Sequence, residues 1–154
     1  RLRTIAKPVQ EVNNEIKKQI KDMFETMYAA PGIGLAATQV NFHQRLIVID
    51  VSDEGNEPLC LINPEIMEKN GEIEYEEGCL SVPNYYESIK RANEIKVSAQ
   101  NELGQIFEIE ADEMLSICIQ HEMDHLNGIL FVDHLSKLKQ KRLKKKAVKQ
   151  SKKL

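Results

Sequence analysis

Residues 119–128, IQHEMDHLNG, set two histidines four positions apart with a glutamate directly after the first. On an α-helix such residues project from nearly one face. Met114, Ile117 and Cys118 lie on the same stripe ahead of His121 and His125, so the histidines continue an apolar face rather than a polar one. Any fold for this chain must close around that helix and give its buried imidazoles partners, and a metal ion is one way to supply them. Glu122 lies about 100° round the helix from His121. There it ligates poorly but can take a proton from water that the cation activates. This is the H-E-x-x-H arrangement of two ligands and one general base. The competing reading, a polar helix face that happens to hold these residues, fits the stripe badly.

Two histidines do not complete a catalytic site, which normally has three protein ligands and an open position. The downstream completions used by two protease classes fail here: position 131 is Phe131 where a third histidine belongs, and no acid follows Asp133. The third ligand is therefore sought upstream. Cys79 sits in EEGCLSVP (76–83), a segment too irregular for a core strand, whereas Cys60 lies in an apolar strand and Cys118 one turn before His121. The last two read as packing residues, since free cysteine is often buried. His43 and His134 have no supporting context. A thiolate with two imidazoles suits ferrous iron, zinc, nickel or cobalt.

Around this helix the periodicity predicts an α+β fold, with mixed or antiparallel strands packed about the central H-E-x-x-H helix and helices at both ends. Val12, Ile16, Ile20, Met23, Phe24 and Met27 predict an amphipathic helix over 9–28, broken by Pro31 and Gly32. RLIVIDV (45–51) and PLCLINP (58–64) read as neighbouring strands joined by DEGNE. IKVSAQ (95–100) and QIFEIE (105–110) flank NELG as a hairpin. Asp112 is placed to cap the metal helix and Gly128 to stop it. A last, basic helix is expected from about Ser136.

At 154 residues the chain suits one domain, here taken as 1–154 with a basic helical tail over 137–154. No apolar run approaches the ~20 residues of a membrane span, and the opening residues lack the apolar block of a secretory signal. The chain opens on arginine, so a natural start upstream is expected. Three irregularly placed cysteines argue against a disulfide framework and for a reducing compartment. The net charge of −3 conceals an asymmetry: all 24 acids fall before His134, and the segment from His134 onward holds ten Lys/Arg and no acid. Such a tail faces an anionic partner, RNA above all, or is a solvated helix.

GIGLAATQ (32–39), EGCLS (77–81) and QHEMDH (120–125), in this order, resemble the three signature motifs of the peptide deformylases. The resemblance spans essentially the whole chain, and the basic end looks like the bacterial subtype with an extra C-terminal helix. It implies hydrolytic removal of the formyl group from N-formylmethionyl peptides in the bacterial cytoplasm or an organelle, with no membrane or DNA partner. It also implies one divalent ion held by Cys79, His121 and His125, ferrous in the cell and replaceable by zinc, nickel or cobalt. Glu122 would be general acid and base. The Gln39 amide and the Leu80 N–H would donate to the formyl oxygen, and main-chain groups of Ile33, Gly34 and Gly78 would align the substrate as an added strand. Ile117, Cys118 and His121 would line the methionine pocket, with core packing the alternative for the first two.

Gly32 and Gly34, and Gly78 beside Cys79, would let the backbone approach another chain closely, with a plain turn after Pro31 the alternative. Ala36 and Ala37 would pack on the metal helix. Arg91 is placed to pair with Glu77 or another loop acid. A deformylase meets chains at the ribosome, which gives the tail a role there. Two other readings remain at this point: a zinc endopeptidase, and a non-catalytic ribosome- or RNA-binding protein with a structural metal.

Overall fold

A computed structural model describes residues 4–79 and 82–129, apart from the side chains of 78–87. The basic helix expected from about Ser136 and the ribosome-facing tail lie outside the described residues.

The first helix, α1 (Asn14–Ala29), begins five residues later than the periodicity predicts. Asn13 caps it, its Oδ1 accepting from Ile16 N at 3.0 Å. Val9 and Val12 keep the apolar spacing but belong to an extended lead-in. Val9 is buried against α1, and its N–H donates to Asn63 Oδ1. A three-residue strand β1 (Gly34–Ala36) and a 3₁₀ turn (Ala37–Val40) follow. Then come β2 (Leu46–Ile49), β3 (Leu59–Asn70), β4 (Ile73–Cys79), β5 (Val82–Arg91), β6 (Glu94–Gln100), β7 (Ile106–Asp112) and α2 (Glu113–Leu126).

Five strands form an antiparallel sheet in the order β1-β2-β3-β6-β7, and β4 and β5 pair by themselves. Successive side chains of a strand point to opposite faces, and both faces of this sheet are covered. Leu46, Val48, Cys60 and Ile62 pack with Ile16, Ile20, Met23 and Met27 of α1. Ile47, Ile49, Leu61 and Val97 pack with Cys118, Ile119, Met123 and Leu126 of α2. That double cover is why LIVI reads as a continuous apolar run, and all four of its residues are buried. Burying each such side chain contributes roughly 1.5–3 kcal/mol, so α2 is held chiefly through its apolar stripe.

The α+β class is as expected, while several boundaries differ. β3 continues past Pro64 to Asn70, because a register irregularity between Ile62 and Glu65 takes Asn63 and Pro64 out of the ladder. Asn63 adopts φ 51°. The hairpin β4–β5 was not anticipated: β4 shows no apolar alternation, with residues 74–76 exposed and Glu77 buried, and in β5 the buried positions 89 and 91 are an isoleucine and an arginine. Asp112 does not cap α2 by its side chain, since it is still the last β7 residue, opposite Glu94. Glu113 enters the helix at φ 48° and donates its N–H to Asn93 O. Gly128, at φ 71°, is the expected left-handed stop. Among the described residues no helix is long and apolar enough to cross a membrane.

Candidate active site

The four-residue spacing on α2 brings His121 Nε2 and His125 Nε2 to 3.3 Å, with the rings edge to face. Among the described residues His121, Glu122 and His125 form a group whose candidate ligand atoms all lie within 4.8 Å of one another. Glu122 is only 4% exposed, and its Oε1 is buried with no hydrogen-bond partner among the described residues. A buried, unpaired carboxylate is costly. Burial pushes its pKa up to about 7 against the opposing pull of His121.

The tautomer of His121 is set from outside the helix. Glu77 Oε1 lies 2.7 Å from His121 Nδ1. Burial opposes the charge on Glu77, yet hydrogen bonds from His121 and Arg91 hold its pKa down to about 2. It is therefore a carboxylate, an acceptor only. Nδ1 must donate to it. Burial opposes the charge on His121 but the bond to Glu77 raises its pKa, so the ring has to give up its Nε2 proton before that nitrogen offers a cation the lone pair facing His125. Burial, followed by the neighbouring His121, pushes His125 down to about 4 and keeps it neutral. Two nitrogens aimed at one point beside an orphaned carboxylate oxygen are a donor set suited to a divalent cation.

The expected Arg91–Glu77 pair is present and bidentate. Nε donates to Glu77 Oε2 at 3.0 Å and Nη2 to Oε1 at 2.9 Å, with both side chains 6% exposed. A partner that sequence reasoning missed is Asp124, whose Oδ2 accepts from Arg91 Nη1 at 2.6 Å. Its position three residues after His121 was the available signal.

The first motif meets α2 at two points. A Cβ built on Gly34 would lie 2.7 Å from Cys118 Sγ and 2.7 Å from Glu122 Oε2, so glycine is required for the close approach. Gly32 lacks that constraint, its nearest contact being 3.6 Å, and its role is to close α1 by donating its N–H to Met27 O. Thr38 Oγ1 donates to His125 O. Gln39 Oε1 accepts from Ala36 N at 2.9 Å, which orients the amide and leaves its NH₂ as the donating end. Ala36 packs in the α2-side cluster as expected, but Ala37 packs on the α1 side, because the chain turns into the 3₁₀ segment between them.

β1 is an edge strand. Ile33, 45% exposed, gives its carbonyl to Asp50 N at 2.8 Å. With Gly34 opposite Ile49, the alternation of an antiparallel ladder turns the Gly34 main-chain groups to the open edge. Ile117 is buried but joins neither core cluster, whereas Cys118 is in the α2-side core. Burial raises the Cys118 thiol well above its ordinary range and Cys60 to about 12, so both remain protonated. Cys79 ends β4, two residues beyond Glu77, and Gly78 lies opposite Tyr86 in that ladder. The Cys79 side chain and all of Leu80 lie outside the described residues.

The sequence model of the family described as Polypeptide deformylase matches residues 1–141. The peptide deformylase of Chromobacterium violaceum is 58% identical over 152 residues, covering 99% of this chain and 91% of that protein. That of Pseudoalteromonas translucida is 59% identical with the same coverage. Among solved structures, a peptide deformylase from Legionella pneumophila superposes with a TM-score of 0.89 at 46% identity, covering 98% of this chain and 89% of that one.

Proposed function

This chain belongs to the polypeptide deformylase family, and on that premise we propose how its residues divide the work of removing the formyl group from N-terminal formylmethionine. The endopeptidase and non-catalytic readings are set aside with that membership. The enzyme is a metal-dependent hydrolase. His121, His125 and Cys79 would hold the ion, ferrous iron in the cell, with zinc, nickel or cobalt as substitutes. When bound, such an ion supplies Lewis-acid polarisation and makes water a nucleophile near neutral pH.

The chain's own residues do the rest. Glu122 accepts the proton that the attacking water loses as its oxygen bonds to the formyl carbon. It then delivers that proton to the amine nitrogen as the C–N bond breaks, which leaves formate and a free amino terminus. The Gln39 amide, fixed by its bond from Ala36 N, and the Leu80 N–H donate to the oxygen on which negative charge grows. Ile33, Gly34 and Gly78 align the substrate backbone, Gly34 from the open edge of β1. Ile117, Cys118 and His121 border the methionine side chain.

The observation that carries this assignment is the buried Glu122 Oε1, without a hydrogen-bond partner among the described residues, beside two converging imidazoles. Glu122→Gln should retain the metal and lose at least about 10²-fold in formate release from formyl-Met peptides, the usual scale for a general base. Undiminished release would remove Glu122 from that role.

The relatives named above are bacterial, and a cytoplasmic site of action follows from a substrate made at the ribosome. The tail over 137–154 is proposed to dock on ribosomal RNA through its lysines and arginines. Such phosphate contacts weaken steeply with salt. Truncation after Ser136 should lower ribosome co-sedimentation and leave peptide turnover intact, and unchanged co-sedimentation would make the tail a solvated helix.

A further inference from the structure

Helix α2 grips the β4–β5 hairpin by side chains at two points one turn apart. His121 bonds Glu77 on β4, and Asp124 bonds Arg91 at the end of β5. The two grips are joined, because Arg91 also holds Glu77 by two bonds. The circuit therefore runs from Asp124 through Arg91 and Glu77 to His121 and back along the helix. Gln120 and Ser116 fix the main chain at Ala92 but do not reach β4. Beside the β4–β5 backbone ladder, the side-chain path from α2 through β5 to Glu77 passes through the Arg91 guanidinium.

That group is planar and rigid, so fixing one nitrogen fixes the plane of the other two. Asp124 Oδ2 on Nη1 thereby sets the angle at which Nε and Nη2 meet Glu77. Glu77 in turn presents Oε1 to His121 Nδ1 and aims the imidazole. The same strand ends two residues later at Cys79. Gln120 and Ser116 anchor the chain at Ala92, and the Asp124 contact adds a side-chain constraint that reaches Glu77 itself.

Resting on the assignment of His121, His125 and Cys79 as ligands, we propose that Asp124 is a positioning residue for the metal centre. It acts through Arg91 to hold the cysteine-bearing hairpin and the His121 ring in register. Asp124 touches neither substrate nor ion. It determines how long the ion stays and the shape of its ligand field.

The test uses full-length protein loaded with cobalt or zinc, an excess of chelator, and the first-order rate of metal release. Asp124→Ala should release the ion about 10- to 100-fold faster, the scale seen when groups that orient metal ligands are removed, and should shift the cobalt absorption bands. Asp124→Asn keeps an oxygen for Nη1 without the charge and should fall between. Arg91→Lys, which cannot fork, should resemble Asp124→Ala. Wild-type release rates and cobalt bands in Asp124→Ala would overturn the proposal, even with a lowered melting temperature, because the pair would then only stabilise the fold. If Asp124→Ala does not fold, the same two readouts on Asp124→Asn decide. Formate release by the wild type tests the catalytic reading separately. Its failure would leave the metal-release comparison standing, and a null comparison would leave the deformylase reading standing.

Discussion

The tightest contact between the first motif and the catalytic helix is at Gly34, and Gly34→Ala tests whether that closeness is functional. The added methyl would lie 2.7 Å from Cys118 Sγ, 2.7 Å from Glu122 Oε2 and 3.2 Å from Glu122 Cγ. Carbon contacts are comfortable at about 3.5–4.0 Å, so two atoms must each yield by roughly 1 Å. Cys118 is buried in the core and borne on a helix, with little room to yield. The Glu122 carboxylate moves instead, although it too is buried. Overpacking of this kind costs about 1–3 kcal/mol, a fall of roughly 2–12 °C in melting temperature for a domain of this size. A 1 Å displacement of a catalytic group costs on the order of 10²-fold in rate. Because the main-chain groups of residue 34 persist, the loss should fall on kcat rather than KM in a formate-release assay. Adding Cys118→Ala relieves the sulfur contact alone, so the double variant should regain stability but not turnover. Gly34→Ala with turnover and melting temperature near wild type would refute the close-approach argument.

Asn63 and the Asp50 loop carry two further predictions. Asn63 bonds Val9 N, Val9 O and Gln100 Oε1 while at φ 51°. Asn63→Ala should cost roughly 2–5 kcal/mol in denaturant unfolding, from lost hydrogen bonds and a left-handed backbone. Asn63→Gly should recover about 1 kcal/mol of that, and equal costs would discount the backbone part. Tyr28 donates to Asp50 Oδ2 at 2.6 Å, and Asp50 also accepts from Ser52 and from Glu57 N. Burial opposes the Asp50 charge, but these bonds hold its pKa below the usual carboxylate value, while the bond to Asp50 raises Tyr28 to about 12. A depressed carboxylate stabilises above its unfolded pKa of about 3.9 and loses that as pH falls through the folded one. A raised phenol stabilises below about 10 and loses that as pH rises toward 12. The stability gap between wild type and Tyr28→Phe should thus be flat between about pH 4 and 10 and narrow at both ends. A gap unchanged below pH 4 would contradict it.

What was legible in the sequence tracks how local the cause was. β2, the β6–β7 hairpin and α2 were readable because burial on one or both faces imposes a period on consecutive residues. The hairpin β4–β5 was not, since Glu74, Tyr75 and Glu76 are exposed and the work of the buried acid Glu77 lies across space on His121 and Arg91. The start of α1 was misplaced because Val9 and Val12 keep helical spacing in a segment whose backbone is set by Asn63, 54 residues away from Val9. Asp112 does hold the N-cap position of α2, but its side chain makes no cap bond, because whether the residue is still pairing in a strand is a tertiary fact. At the site, spacing alone gave His121, Glu122 and His125. It did not give Asp124, whose significance depends on where a guanidinium from another strand arrives.

The turn from His121 to His125 is where the fold converges. Glu77 arrives at His121, Gly34 at Glu122, Arg91 at Asp124, and Thr38 at the carbonyl of His125. Met123 and Leu126 point into the core instead. Each residue of that turn is thus claimed either by packing or by a contact from a distant segment. An isolated helix of 14 residues is marginal in water, so the motif cannot hold its geometry by local preference. The sheet beneath supplies the stability through Ile119 and Leu126, and the polar contacts then select one orientation for each functional side chain. A change to the core under α2 should therefore lower stability while the relative order of metal retention among site variants persists. Changes at Gly34, Glu77 or Asp124 act on aim, because what each supplies is a direction for a side chain already buried.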